Sequence, residues 1–372
     1  MRKLAGKILL YSNIILALCL LLSYAAPLIN PARLFLPAFF GLAYPYLLIV
    51  NLIFLFYWII RMRKALLISL VVILLGWNHF TNFVPIRFQK ASAANATSSS
   101  IPLKVLSYNV RTFDKYNWTK NSQSKEGIFE TIKEADPSVV CIQEFYTTDK
   151  PGKRERDIRN QLKDYPYYSI YYSLKSGATT GFGIATFSKF PIIKTSRIPF
   201  DNTINQAVYT DIKLNSDTIR MFNIHLQSIR FGQRNYAFLD SLSLKYTNKQ
   251  LAEVKDISSR LKEAFVMRAE QSKIIHHYIE ESEYPVIVAG DFNDTPVSYA
   301  YKKIKIGLTD AFRSSGKGFG NTYAGELPSF RIDYIFYSDE LESIEFERIK
   351  SKFSDHFPIT STLQYPEEPL SE

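Results

Sequence analysis

The chain has 372 residues, too many for one average domain, and a formal net charge of +10. The first hundred residues contain nine Lys or Arg and no Asp or Glu, which leaves 36 basic and 35 acidic residues in the remainder. The excess positive charge therefore belongs to the N-terminal segment and is no argument that the rest binds nucleic acid. The two cysteines exclude a disulfide framework, and Cys141, within a strand-like apolar run, is expected to be a buried hydrophobe rather than a nucleophile.

Three apolar runs occupy residues 8–29, 36–60 and 65–77. The first two are long enough to cross a bilayer, and the third reaches that length only if it extends toward Phe80. A cleaved signal peptide is the alternative for the first run, because basic residues precede it. Its apolar core is long for that role and two more runs follow, so we expect a membrane region of about three transmembrane helices over residues 1–82.

The distribution of basic residues predicts how these helices are oriented. Arg2, Lys3 and Lys7 flank the start, and further basic residues fill the turn at 61–64, whereas the turn at 30–33 carries one charge. The positive-inside rule then places the N-terminus in the cytoplasm, and three spans place everything after them on the other side. We therefore expect an integral membrane protein whose remainder is extracytoplasmic. Residues 83–100, rich in Ser and Ala, are expected to be a flexible linker.

Residues 101–366 are expected to fold as one soluble domain, followed by a short tail over 367–372. Eight β-rich runs are predicted to be strands, at residues 103–110, 139–143, 183–187, 208–214, 219–224, 286–289, 332–337 and 359–363. Helical patterns cover 125–135 and 249–282, and the second has an apolar face at Leu251, Val254, Ile257, Leu261 and Ala264. Strands outnumber helices, and the helices lie between pairs of strands. This order predicts an α/β fold in which two packed sheets are flanked by helices.

Short polar motifs follow several of these apolar runs. In chain order they are Ser107-Tyr108-Asn109, Gln143-Glu144, Asn223-Ile224-His225, Gly290-Asp291-Phe292-Asn293, Arg331-Ile332-Asp333 and Ser354-Asp355-His356-Phe357-Pro358-Ile359. The last of these is the most specific. Taken together, the motifs resemble those of the endonuclease/exonuclease/phosphatase family of metal-dependent phosphoesterases, over nearly all of residues 102–364. The resemblance implies a four-layer α/β/β/α sandwich of two mixed sheets, here preceded by transmembrane helices.

The resemblance also implies a divalent cation, Mg²⁺ or alternatively Mn²⁺. Glu144 and Asn109 are the implied metal-binding residues, and Asp355 would lie next to the metal or a water. A hard cation takes carboxylate or amide oxygens and keeps open positions for phosphate and water. Glu144 follows a buried apolar run, and Asn109 can both donate and accept hydrogen bonds. That property suits a residue in contact with both the phosphate and the metal shell.

Five further residues are implied to be catalytic. Asp291 would orient or deprotonate the attacking water and Asn293 would hold a phosphate oxygen, and strand alternation puts both on one side if strand geometry continues. Asp333 would hydrogen-bond one imidazole nitrogen of His356 and raise the pKa of that ring, which favours an imidazolium beside phosphate. His225 is implied to be a proton donor or phosphate ligand.

We therefore expect a membrane-anchored, Mg²⁺-dependent enzyme that hydrolyses phosphodiester bonds in nucleic acid or in a phospholipid head group, with no protein partner predicted. One alternative is a binding module on the same fold, which should lack a metal-binding or base residue. Another is a phosphomonoesterase of the inositol-phosphate type, which would need a basic pocket that the sequence does not identify. The polar and aromatic segment 228–246 can equally be a substrate-binding loop or a surface excursion before the long helix.

Overall fold

The computed structural model describes residues 2–86, 102–147, 156–176, 180–215, 217–229, 248–325 and 329–365. Most of the predicted linker (83–100), most of the segment 228–246 and the predicted tail (367–372) lie outside these residues. The described residues form a helical N-terminal region and two large sheets with helices on their outer faces.

The N-terminal region consists of the helices α1 (Arg2–Ala25), α2 (Leu36–Leu42), α3 (Tyr44–Ile60), α4 (Leu66–Leu75) and α5 (Trp77–Thr81). Among the described residues, α1 alone is long and apolar enough to cross a bilayer; α2 and α3 would count as a second span despite a bend of 67° between them. The expected third span is the shorter helix α4, which Gly76 separates from α5. Pro45 at the start of α3 accounts for the bend, because its ring cannot continue a preceding helix.

A buried polar cluster ties the three longer helices of this region together. Asn13 of α1 donates to the hydroxyl of Ser69 on α4 at 2.7 Å and accepts from the indole of Trp58 on α3 at 3.0 Å. Asn51 of α3 donates to the carbonyl oxygen of Leu16 at 3.1 Å. Buried polar side chains need hydrogen-bond partners, so these contacts fix how the three helices pack together.

Twelve described strands build the rest of the chain: β1 (Leu103–Asn109), β2 (Val139–Thr147), β3 (Tyr167–Ser176), β4 (Thr180–Ser188), β5 (Ile192–Ile198), β6 (Gln206–Leu214), β7 (Asp217–His225), β8 (Val286–Asp291), β9 (Thr309–Asp310), β10 (Asp333–Tyr337), β11 (Glu342–Arg348) and β12 (Ile359–Gln364). The first sheet has the order β11-β12-β1-β2-β4-β3, and the second has the order β5-β6-β7-β8-β10-β9. Both sheets are mixed, because β1 pairs with β2 and β7 with β8 in parallel while their other neighbours are antiparallel.

Three apolar clusters define four layers. The helices of this domain are α6 (Ser124–Ala135), α7 (Arg156–Gln161), α8 (Asn248–Glu280), α9 (Tyr299–Ile304) and α10 (Ala311–Ser315). A central cluster joins the inner faces of the two sheets and contains Val105, Met221 and Ile287. The outer face of the first sheet packs on α6 and α7, and that of the second sheet packs on α8 and α9. The predicted α/β/β/α sandwich is therefore confirmed.

Cys141 lies in the central cluster and is fully buried. Burial raises the pKa of its thiol to about 12, so the side chain stays protonated at neutral pH. The structure supports the expectation of a structural cysteine.

All eight predicted strand runs coincide with strands, and the four strands that the pattern missed are β3, β5, β9 and β11. These four lie at the edges of the two sheets. An edge strand is partly solvated and pairs on one side only, so its sequence need not form an apolar run. In β11, for example, exposed and buried positions alternate irregularly around a bulge between Ser343 and Glu345.

The long helix α8 agrees with the predicted span, but the predicted apolar face is wrong in its first half. Leu251 is 56% exposed and Val254 is 47% exposed. The buried apolar positions of the helix begin at Ala264 and continue to Ile279. Only the second half packs against the second sheet, and the first half extends past the cluster that this sheet forms.

The N-terminal region packs directly on the loops that leave β8 and enter β10. The carbonyl oxygen of Asn82 accepts a 3.0 Å hydrogen bond from Arg331, two residues before β10. Val297, in the loop after β8, belongs to the apolar cluster formed by α1, α3 and α4. The ring of Phe39 lies 5.3 Å from that of Phe265 on α8. The two regions therefore share a continuous packed junction.

Candidate active site

Three polar residues stand in register at one edge of the second sheet. Asp291 at the end of β8 pairs with His225 at the end of β7 and with Asp333 at the start of β10. Parallel strands end at the same sheet edge, and an antiparallel neighbour begins there. The topology therefore gathers residues that are far apart in the sequence.

The first sheet contributes a second group at the corresponding edge. Asn109 ends β1, and Glu144 lies on its parallel neighbour β2 at a bulge, where its φ is 51°. Asp355 lies in the loop that enters β12, whose antiparallel partner is β1. The Ser354 hydroxyl anchors this loop by donating to the carbonyl oxygen of Asn109 at 2.8 Å. A bulge redirects a side chain out of the regular alternation, which is how Glu144 comes to face the site.

Asn109 connects the two groups. Its amide nitrogen donates to Asp291 at 3.0 Å and to Glu144 at 3.4 Å. The amide of Asn293 donates to the same oxygen of Asp291 at 3.1 Å, and the Asn293 backbone donates to the other oxygen at 2.7 Å. Asn293 has a φ of 53°, so a turn rather than the predicted continuation of the strand brings it to the side of Asp291. The carboxylate of Asp291 is thus held in one orientation.

Gly290 makes this close arrangement of strands possible. Its φ is 155°, and a Cβ at this position would collide with the carbonyl oxygen of Ile224 on β7. Glycine alone lets the backbone adopt this conformation and approach β7 directly before Asp291.

His356 has the partner that was predicted for it. Nδ1 of the ring lies 2.9 Å from Asp333, and Nε2 points toward Asp291 at 3.8 Å. Burial by itself would lower the pKa of His356, but the carboxylates of Asp333 and Asp291 raise it well above the usual value. The ring is therefore a buried imidazolium whose free N–H faces the site.

His225 has the opposite tendency. Its Nε2 lies 3.7 Å from Asp291 and 3.8 Å from Glu144, and it has no hydrogen-bond partner among the described residues. Burial lowers the pKa of His225 more than Asp291 raises it. One neutral and one charged imidazole thus flank the same carboxylate, a division of roles typical of acid–base sites.

The acidic residues of the site suit a hard divalent cation. Partial burial and the nearby carboxylates of Asp355 and Asp291 raise the pKa of Glu144 to about 7. Carboxylates that repel one another in this way are compensated when a cation binds between them. Glu144 and Asp355 could hold such a cation. The amide oxygen of Asn109 accepts a hydrogen bond from the backbone N–H of Arg111 at 3.0 Å. The amide nitrogen of Asn109, rather than this oxygen, therefore faces the carboxylates.

A second group of possible metal-ligand atoms comes from two acids and a histidine. Asp291, Asp333 and His356 offer ligand atoms within 4.8 Å of one another, and all three are buried. Nδ1 of His356 already bonds to Asp333, and Nε2 of the same ring lies 3.8 Å from Asp291, so the ring stands between the two carboxylates.

The geometry agrees with a sequence comparison. The family model described as the endonuclease/exonuclease/phosphatase family matches residues 106–356, which contain all eight predicted site residues. The chain belongs to this family. A second model, described as a domain of unknown function, matches residues 6–83. No curated protein matches the chain.

Solved structures of family proteins share the fold. A family protein from Leptotrichia buccalis C-1013-b is 18% identical, with a TM-score of 0.51 over 71% of this chain and 100% of that one. The endonuclease/exonuclease/phosphatase from Bacteroides vulgatus is 17% identical, with a TM-score of 0.51 over 72% and 100% of the two chains. The catalytic domain of human Nocturnin with bound sulfate is 18% identical, with a TM-score of 0.50 over 71% and 94%. At these identities the likeness shows the fold alone.

Sequence reasoning did not single out Arg111, which lies at the rim of the family site. Its guanidinium pairs with Asp355 at 3.1 Å and stacks over the ring of Trp118 at 4.7 Å. Residues 111–114 all have φ values between 44° and 54°, and this left-handed turn directs the chain away from the end of β1. The available signal was a cation two residues after the predicted Asn109.

Arg268 of α8 was also missed. It is 1% exposed and donates to the carbonyl oxygens of Ala264 and Asn293, with Asp294 3.4 Å away. The side chain therefore supports the turn that carries Asn293 from beneath. A buried arginine on a helix gives no sequence signal of its own, because its partners are known only once the helix is docked.

A cavity of about 190 Å³ adjoins the site. Glu144 and His225 form one wall, and the remaining lining is uncharged, with Phe182, Ile204 and Asn205 among it. The cavity can take a neutral group of a molecule bound at the site.

Proposed function

We propose that this protein is a membrane-embedded, metal-dependent phosphoesterase that cleaves phosphodiester bonds. The observation that carries the proposal is the convergence on Asp291 of a neutral His225, a charged His356 and the two amides of Asn109 and Asn293. Hydrolysis of a phosphodiester needs an oriented water, positive charge at the phosphate and a means of stabilising the leaving oxygen. The described residues supply the first two directly.

Each residue has a role that follows from its contacts. Asp291 orients the water and takes its proton. Three hydrogen bonds from Asn109 and Asn293 hold the Asp291 carboxylate in the required orientation. Burial raises the pKa of Asp291, although His356 and His225 oppose this, and a more basic carboxylate is a better proton acceptor. His356 places its N–H against a phosphate oxygen, and the unpaired Nε2 of His225 is left to bond to the substrate.

A bound Mg²⁺ or Mn²⁺ at Glu144 and Asp355 would polarise the phosphate and stabilise negative charge on the leaving oxygen. The non-catalytic alternative predicts a missing base or metal-binding residue, and the described site contains each predicted residue. That completeness favours the enzyme.

We also propose that the N-terminal region spans the membrane with its N-terminus in the cytoplasm. The two sheets and their helices, from residue 102 onward, form the sheet domain. Tyr46, near the start of α3, contacts Phe330 of this domain, with ring centroids 6.3 Å apart. The basic turn at 61–64 follows the other end of α3. A helix of 17 residues is about 25 Å long, so the basic turn and the sheet domain are separated by most of a bilayer.

Two observations bear on the substrate. The exposed rings of Tyr116 and Trp118 lie 4.8 Å apart beside Arg111, and such a platform can stack a nucleotide base. The contact between the N-terminal region and the loop after Asn293 instead brings the site close to the membrane, where a phospholipid head group is presented. Nucleic acid and phospholipid head groups are therefore the two substrate classes to test.

The test is hydrolysis by the full-length protein in detergent, with DNA, RNA, phospholipids and inositol phosphates offered side by side. We expect Mg²⁺-dependent cleavage of one diester class, abolished by chelator. Asp291→Ala and His356→Ala should each reduce turnover by about two to four orders of magnitude, since each removes a group that acts on the reacting atoms.

Asp339→Ala is the matched control, because this acid is exposed in a turn outside the site. Circular dichroism and thermal unfolding establish that the variants are folded. Substantial activity in both site variants would refute the proposed roles, and inactivity of the folded wild type on the whole panel would favour the binding module.

A further inference from the structure

A second cavity lies at the junction between the N-terminal region and the sheet domain, away from the active site. Its volume is about 390 Å³. One wall comes from the end of α1 and the residues after it, and from α5 with the residue that follows it: Tyr24, Pro27, Leu28, Asn78, His79 and Asn82. The other wall comes from α9 with the residues on either side of it, and from Arg313 of α10. The cavity therefore exists only because the two regions pack together.

The wall from the sheet domain is basic. Lys302, Lys305 and Arg313 line it, and no Asp or Glu is among the residues described as lining the cavity. Arg313 is held in place by hydrogen bonds to Asn78 at 3.1 Å and to Thr81 at 3.2 Å. Neither lysine forms an ion pair with a described carboxylate.

Asp310 acts on Lys305 from outside the cavity lining, but it is shared with other partners. Asp310 accepts from Arg331 at 2.5 Å and from the hydroxyl of Tyr301 at 2.7 Å, so its charge is already compensated. Lys305 is half-buried, and its burial together with the Arg313 guanidinium lowers its pKa. Lys302 is exposed. Basic side chains that share one cavity, one of them half-buried, are stabilised by an anion that binds between them.

The position of the cavity indicates which kind of molecule carries the anionic group. Pro27 and Leu28 directly follow the membrane helix α1, and Leu28 is 65% exposed. Ile306 on the opposite wall is 47% exposed. A ligand in the cavity therefore meets basic groups at one end and exposed apolar side chains at the other, at the depth where lipid head groups lie beside a transmembrane helix.

We propose that this cavity binds the phosphate of an anionic phospholipid, with Lys302, Lys305 and Arg313 facing the head group and Leu28 and Ile306 facing the chains. The two walls of the cavity belong to different regions, so a lipid bound there would hold the sheet domain against the N-terminal region. This inference rests on the proposed membrane embedding but not on catalysis.

The experiment compares full-length protein in nanodiscs of phosphatidylcholine with and without phosphatidylglycerol. Native mass spectrometry of the released protein measures which lipid is retained, and thermal unfolding measures the stabilisation. We expect the wild type to retain phosphatidylglycerol preferentially and to unfold at a higher temperature when it is present. Lys302→Gln/Lys305→Gln should reduce the preference roughly thirtyfold, because each lysine near a head group contributes a factor of about five.

Lys303→Gln is the matched control. It removes one positive charge from the helix that carries Lys302, but Lys303 is outside the cavity lining and its charge acts on His276. The control variant should keep the wild-type preference. An unchanged preference in the double variant, or an equal loss in the control, would refute the site.

Inorganic phosphate added to protein in phosphatidylcholine nanodiscs distinguishes a lipid from a soluble anion. We expect it to leave the unfolding temperature unchanged at millimolar concentration. Stabilisation equal to that by phosphatidylglycerol would overturn the lipid assignment. Turnover is not measured in any arm, so the result is independent of whether the phosphoesterase proposal holds.

Discussion

At the scale of single residues, the site separates two imidazoles by their surroundings. His356 has a carboxylate near each nitrogen, whereas Nε2 of His225 has no hydrogen-bond partner among the described residues and lies 3.7 Å from Asp291 and 3.8 Å from Glu144. Burial disfavours charge on both rings, and only the additional carboxylate on Nδ1 of His356 outweighs it. The identity of the neighbour on Nδ1 therefore decides which histidine is the cation.

Asp333→Asn tests this at the residue that positions His356. An amide keeps the shape of Asp333 but removes the charge that raises the pKa of the ring and fixes its tautomer. We expect kcat to fall by about two to four orders of magnitude while KM changes little, since a positioned acid–base group acts in the transition state. Steady-state kinetics on the diester that the substrate panel selects provide the measurement.

Asp339→Asn is the control for this substitution. A kcat for Asp333→Asn within a few-fold of the wild type would show that the Asp333 carboxylate does not set the state of His356. A fall in the unfolding temperature without a change in kcat would assign Asp333 a purely structural role.

At the scale of elements, the short helix α2 contacts the loop that follows the site. Gly41 of α2 packs against the backbone of Val297, and a Cβ there would collide with the carbonyl oxygen of that residue. Val297 is four residues after Asn293. On the other side of the loop, Arg268 of α8 donates a hydrogen bond to the carbonyl oxygen of Asn293. The loop is thus clamped between α2 and α8, which explains how an N-terminal helix can affect the position of Asn293.

Gly41→Val is expected to displace this loop and lower turnover. A shift of about 1 Å in a positioning group can reduce the rate on the order of a hundredfold. The measurement is kcat of the full-length variant, together with thermal unfolding to establish that it folds. Gly6→Val is the matched control, because a Cβ at Gly6 has no atom within 4 Å.

Equal activity of the two glycine variants would contradict the proposed support of the site by α2. Loss of activity in both would point instead to a general effect of valine on the N-terminal helices.

At the scale of the whole molecule, the polypeptide is divided by charge. The N-terminal region has basic residues but no acidic ones, and the sheet domain is nearly neutral. The junction between them involves Arg331, which is fully buried and donates to both Asn82 and Asp310. A buried arginine shared between the regions would lose a partner if they separated, and such a loss is costly.

Membrane topology is the corresponding prediction. On a background of Cys19→Ala and Cys141→Ala, we expect an impermeant maleimide to label a Lys317→Cys variant in right-side-out spheroplasts and not an Arg63→Cys variant. Both positions are exposed, one in the sheet domain and one in the basic turn after α3. Inverted vesicles should give the reverse pattern, and labelling of Arg63→Cys from outside would refute the proposed orientation.

The sequence by itself determined the inner strands and the residue types of the site, because a strand buried on both faces needs an apolar run and the motifs follow those runs directly. It did not reveal the edge strands β3, β5, β9 and β11, which are partly solvated, or the exposed first half of α8.

Only the tertiary structure decided that Asn109, Asp291 and His356 meet, which depends on strand order and register rather than on any local pattern. Arg111, Arg268 and Arg331 likewise acquire roles through partners distant in sequence. The physical reason is that local sequence reports how much surface a segment buries, whereas the partners of a buried polar group are fixed by how the segments pack.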